Sequence, residues 1–121
     1  MLKERDVQRL IYIEVRIERI ERYVHGELEQ LLNDGMVQDA VLRRLETLTD
    51  ASNKLPDEVH ARDPEVAWRR IKAFRNVAAH VYEEIDMLRI WDILENYLPA
   101  LRAAVEAELQ AAAPSAGGET G

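Results

Sequence analysis

Leu10-Ile11-Tyr12-Ile13-Glu14-Val15-Arg16-Ile17-Glu18-Arg19-Ile20-Glu21-Arg22-Tyr23-Val24 is the stretch on which the fold turns. Leu10, Ile13, Ile17, Ile20 and Val24, with Leu31 beyond them, recur at steps of three, four or seven, which lines them along one side of an α-helix. Glu and Arg fill the other faces. The spacing predicts one long amphipathic helix over roughly residues 4–32. A second apolar row, Val7, Ile11 and Val15, widens the stripe beyond what one neighbouring helix covers, which points to a bundle core or a second subunit.

Outward from that helix the same period continues. A second helix is expected after Gly35, with Val41, Leu45, Leu48 and Leu55 inward and Arg43, Arg44 and Glu46 outward; Pro56 and the charged stretch to Asp63 end it. Asp63-Pro64 reads as a helix start, because Asp accepts from the free amides of a first turn and Pro at the first position loses no hydrogen bond. A third helix is therefore predicted from Pro64 to about Ala79, carrying Val66, Trp68, Ile71 and Phe74. Asp86 stands where it can cap a fourth beginning at Met87, with Ile90, Ile93, Leu94, Leu98, Leu101, Val105 and Leu109 apolar. Pro99 must kink that helix or start a fresh one. The fold class is all-α, an antiparallel bundle of four to five helices. Residues 1–112 form the domain, and 113–121, with Pro114, Gly117, Gly118 and Gly121, form a disordered polar tail.

Composition narrows the chemistry. A chain of 121 residues builds one core. Its 16 Lys+Arg against 23 Asp+Glu leave a formal net charge of -7, which argues against a broad electrostatic interface with long nucleic acid. The absence of cysteine removes disulfides, thiolate metal sites and a Cys nucleophile. His25 lies between Glu21 and Glu29 on the first helix, and His60 falls in a charged loop. With no two histidines at ligand spacing, no metal and no cofactor are expected. There is no Gly-rich phosphate loop, no Gly-x-Ser-x-Gly elbow and no apolar run of membrane-spanning length, and the charged start is unlike a signal peptide. The reading is a cytoplasmic protein without a membrane partner.

Reactive residue types gather in Trp68-Arg69-Arg70-Ile71-Lys72-Ala73-Phe74-Arg75-Asn76-Val77-Ala78-Ala79-His80-Val81-Tyr82. Arg69, Arg70, Lys72 and Arg75 form a local basic patch suited to phosphate, although most charge runs are solvated helix faces. On an unbroken helix Arg75 and His80 stand about 140° apart, so they share a site only if the helix ends near Ala79, as the Asp86 cap implies. His80 can then turn back toward Arg75, with Asn76 four residues before it to orient the imidazole and Tyr82 approaching from the loop. Such a set suffices for phosphodiester cleavage without metal: His moves protons near neutral pH, and the guanidinium fork stabilises charge on a pentacoordinate phosphorus.

The run Arg75-Asn76-Val77-Ala78-Ala79-His80-Val81-Tyr82, followed by Glu83-Glu84-Ile85-Asp86 and Ile90-Trp91, closely resembles the signature of the HepT-like ribonuclease toxins of the HEPN superfamily. Trp68 with Ile71, and Leu98-Pro99 with Leu101, are similar to its flanking positions. The resemblance covers roughly residues 5–109. It implies a homodimeric HEPN-like bundle in which Arg75 and His80 form a metal-independent RNA-cleaving site at a dimer cleft. It also implies a type VII-like toxin–antitoxin pair, in which an MntA-type nucleotidyltransferase antitoxin neutralises the toxin by adding AMP to the motif tyrosine, here Tyr82. A bulky, negatively charged group there would block RNA. One departure stands out: Thr49-Asp50-Ala51 replaces the Gly-Glu-Ala of many members. If that acid supports the site, Asp50 must do so with a shorter side chain; otherwise it is a polar residue on a partly exposed helix. The alternative function is a catalytically silent helical partner that presents Tyr82 to a nucleotidyltransferase or regulates that enzyme.

Overall fold

Leu10, Ile13, Ile17 and Ile20 are each at most 1% exposed, so the row that defines the first helix is also the centre of the core. The computed structural model describes residues 2–79 and 87–113. Their order is α1 (Glu4–Val24), α2 (Leu28–Asn33), α3 (Gly35–Asn53), α4 (Asp57–Arg62), α5 (Trp68–Ala79), α6 (Met87–Asn96) and α7 (Leu98–Ala112). Among the described residues every regular element is helical, and the all-α bundle expected from periodicity is the fold. Five helices are long; α2 and α4 have six residues each.

Helix α3 packs on both α1 and α5, α7 covers another side of α1, and α6 lies against α7 and α2. Leu45 and Leu48 from α3, Ile71 from α5, Ile90 and Ile93 from α6 and Leu101 from α7 meet the α1 row, all at most 1% exposed. Of the second apolar row, Val7 and Val15 are half-buried and Ile11 remains exposed, beside Tyr12.

Three boundaries differ from the sequence reading. The long first helix ends at Val24, because His25 (φ 49°) and Gly26 (φ 69°) both take the left-handed conformation. Gly26 pays no Cβ penalty there, and His is among the side chains that tolerate this region. The turn redirects the chain so that Leu31 reaches the core from α2, and His25 and Glu29 do not share a helix. Asp63 does not cap a helix starting at Pro64. It closes α4, and its carbonyl accepts from the amide of Val66 at 3.1 Å and from Trp68 Nε1 at 3.0 Å. The chain dips at Val66, 3% exposed, before α5 starts at Trp68; burying that side chain outweighs the local capping signal. His60 is not in a loop. It sits on α4, hydrogen-bonded through Nε2 to the Ser52 carbonyl at 3.0 Å and stacked on Trp68 at 4.2 Å.

Other local signals act as read. Asp34 Oδ1 accepts from the amides of Met36 (2.9 Å) and Val37 (3.3 Å), capping α3. Pro99 lies in the first turn of α7, where its missing N–H leaves no gap, so a fresh helix starts there. Helix α7 ends at Ala112. The Asp86 cap and residues 114–121 of the expected tail lie outside the described residues. Among the described residues no helix is long and apolar enough to cross a membrane.

Candidate active site

Because α3 contacts both α1 and α5, the polar edges of the three helices enclose a groove of about 470 Å³. Helix α1 contributes Arg5, Gln8, Arg9 and Tyr12; α3 contributes Arg43, Glu46, Thr47 and Asp50, and Lys54 at its C-cap adds a fifth; α5 contributes Arg75. Five cations thus face two carboxylates, in a chain whose net charge is -7. Positive charge outweighs negative along this concave wall, the reverse of the balance over the whole chain.

Arg75, the arginine of the sequence motif, is half exposed, and its Nε lies 3.4 Å from Asp50 Oδ1. Asp50 Oδ2 lies 3.1 Å from Lys54 Nζ, so one carboxylate holds two of the groove's cations. The shorter acid at position 50 therefore reaches the motif arginine. Among the described residues Asp50 is the one carboxylate that pairs with Arg75. Arg9 donates from Nη1 to the Lys54 carbonyl at 3.1 Å, tying α1 to the C-terminal end of α3, where a cation complements the helix dipole. Arg43 pairs with Glu46 at 3.6 Å.

The four basic residues of α5 are divided by the helix. Arg70 turns from the groove: its Nη1 donates to the Tyr97 hydroxyl at 3.1 Å, and its guanidinium lies 5.9 Å from that ring's centroid. Five positions of helix set it about 140° from Arg75. Arg69 and Lys72 are exposed and line no part of the groove. Asn76 is exposed on the last turns of α5. His80 and Tyr82 lie outside the described residues. Arg5, Arg9 and Lys54 went unremarked in the sequence reading, and Arg43 stood only as an outward-facing residue. Rows such as Arg5-Arg9-Tyr12 or Arg43-Thr47-Asp50-Lys54, spaced by three or four, read singly as solvated faces. Packing alone sets them opposite one another.

A second ionisable cluster sits elsewhere, where α4 meets α7. Arg62 forms a two-pronged pair with Glu108, Nε to Oε2 at 3.1 Å and Nη2 to Oε1 at 2.7 Å, which holds the Glu108 carboxyl below the usual range. Asp63 is 7% exposed, and its Oδ2 is buried without a hydrogen-bonding partner. Burial, then the neighbouring Glu108, push the Asp63 carboxyl up to about 6. Among the described residues no three His, Asp or Glu side chains gather as a metal site.

Fold and groove define the class: an all-α bundle with a cationic groove at the motif arginine. The family model described as "Ribonuclease HepT-like" matches residues 13–108, and the chain belongs to that family. A Methanocaldococcus jannaschii protein named as a candidate RNase is 28% identical over 107 residues, 87% of this chain and 98% of that one. A Thermococcus cleftensis protein named as a candidate ribonuclease HepT is 31% identical over 91 residues, 74% of this chain and 83% of that one. A Caldanaerobacter subterraneus protein named as a candidate RNase is 29% identical over 91 residues, 75% and 81% of the two chains. No solved structure matched.

Proposed function

We propose that the chain is the toxin of a toxin–antitoxin pair, an endoribonuclease that cleaves RNA without metal through Arg75 and His80. The observation that carries this reading is the motif arginine in a cationic groove, its guanidinium held by Asp50 through one edge. Its remaining N–H groups suit two oxygens of a phosphodiester, and their worth rises as charge builds on a pentacoordinate phosphorus. In the step proposed, the ribose 2′-oxygen attacks phosphorus and the bond to the 5′-oxygen breaks. His80 takes the 2′-proton while water protonates the leaving oxygen, or His80 protonates the leaving oxygen while water takes the 2′-proton. The products are a 2′,3′-cyclic phosphate and a 5′-hydroxyl. Asn76 supports His80, and Arg69, Arg70 and Lys72 add attraction for phosphates outside the groove.

In the same proposal the active form is a homodimer, and an MntA-type nucleotidyltransferase silences it by adding AMP to Tyr82, placing a bulky anion where RNA phosphate must bind. The test is incubation of the purified chain with labelled RNA in excess EDTA. Wild type should cleave, and Arg75→Ala and His80→Ala should each abolish cleavage while keeping the helical circular-dichroism spectrum. Cleavage that persists in both variants, or that EDTA stops, refutes the assignment.

A further inference from the structure

The groove extends well beyond Arg75, the one described residue proposed for bond cleavage that lines it. Arg43 and Lys54, the C-cap of α3, stand eleven positions apart, about 16 Å along the helix, and Arg5 to Tyr12 runs along α1 opposite them. Arg5 is exposed and makes no ion pair among the described residues, and the Arg43 side chain is 71% exposed beside Glu46. Tyr12 is a large aromatic left 37% exposed among these cations. The Arg16 guanidinium covers one face of its ring, 3.7 Å from the centroid, so a base would have to stack on the opposite face. Cations that follow a backbone, interleaved with an exposed aromatic, are the arrangement that binds single-stranded nucleic acid: phosphates meet the charges and a base stacks on the ring.

From this juxtaposition we infer that the α1/α3/α5 groove is the track for single-stranded RNA, with Arg5 and Arg43 binding phosphates on the path to Arg75 and Tyr12 stacking a base. The inference rests on the ribonuclease reading and adds to it where the strand lies. Duplex is a poorer fit, because its bases are already stacked and cannot reach Tyr12.

The experiment is fluorescence anisotropy of a short labelled single-stranded RNA with 2′-O-methyl riboses, which lacks the attacking hydroxyl, titrated with full-length protein at several salt concentrations. Arg5→Gln and Arg43→Gln should each weaken binding roughly three- to tenfold and lower the salt slope by about 0.7. Tyr12→Ala should weaken it by roughly tenfold with the slope unchanged, and Tyr12→Phe should restore it. Arg22→Gln, an equal charge change on α1 outside the groove, should bind as wild type. Wild-type affinity and slope in Arg5→Gln and Arg43→Gln, in a protein that still cleaves RNA, overturn the track and leave the ribonuclease reading standing. A wild type that neither binds the probe nor cleaves RNA overturns both. A dimer that sedimentation shows to dissociate in Arg5→Gln makes the groove a subunit interface and likewise ends the proposal.

Discussion

Asp63→Asn should stabilise the protein at neutral pH. The carboxyl is 7% exposed, faces Glu108, Glu65 and Arg62, and has a buried Oδ2 without a partner; its pKa is raised to about 6 from an ordinary 3.8. The folded state therefore holds a proton that the unfolded chain releases. Between about pH 4 and about pH 6 the native protein binds more protons than the unfolded one, so stability falls as pH rises through that window. A shift of about two units corresponds at most to about 3 kcal/mol, and solvent screening reduces it to about 1–2 kcal/mol. An amide is never charged, and its Nδ2 can donate to Glu108 as the protonated acid would. Urea unfolding should place the variant about 1–2 kcal/mol above wild type at pH 7, a rise of several degrees in Tm, with the two converging near pH 4. Glu108, held low by Arg62, works in the opposite sense, contributing stability above its ordinary pKa that is lost on acidification. The variant should keep that acid-side loss and lack the decline toward neutrality. Equal or lower stability at pH 7, or an unchanged pH profile, would refute the reasoning.

Asp50→Asn should leave stability within about 1 kcal/mol, since its pairs with Arg75 and Lys54 are exposed, while lowering kcat for RNA cleavage more than it raises KM. Asp50→Glu should recover most of the rate, which a merely structural role would not produce. Ile13→Ala, fully buried at the middle of α1, should cost about 2–5 kcal/mol in chemical denaturation through the cavity it leaves.

Neither Asp63 nor Asp50 could be weighed from the sequence. Asp63 reads there as a helix cap because Asp-Pro is a strong local pattern, and only the burial of Val66 and the approach of α7 turn it into a strained acid beside Glu108. Asp50 reads as a polar residue of uncertain reach, and its relation to Arg75 depends on how close α3 and α5 pack. Likewise His25 and Gly26 carry a turn signal that the strong period on either side conceals.

The sequence by itself determined that the chain is helical and which residues face the core. These are properties of spacing along one helix, and the helical repeat converts spacing directly into a face. It also set a net charge of -7, which seemed to count against a nucleic-acid partner. Only the tertiary structure decided where positive charge collects. The basic run on α5 is dispersed around its helix, with Arg70 carried away to Tyr97. Beside Arg75, the groove's other four cations come from α1 and from α3 and its C-cap, more than twenty residues away in the chain, because electrostatic focusing depends on distances across a cleft. Side-chain spacing within any one helix contains no record of those distances.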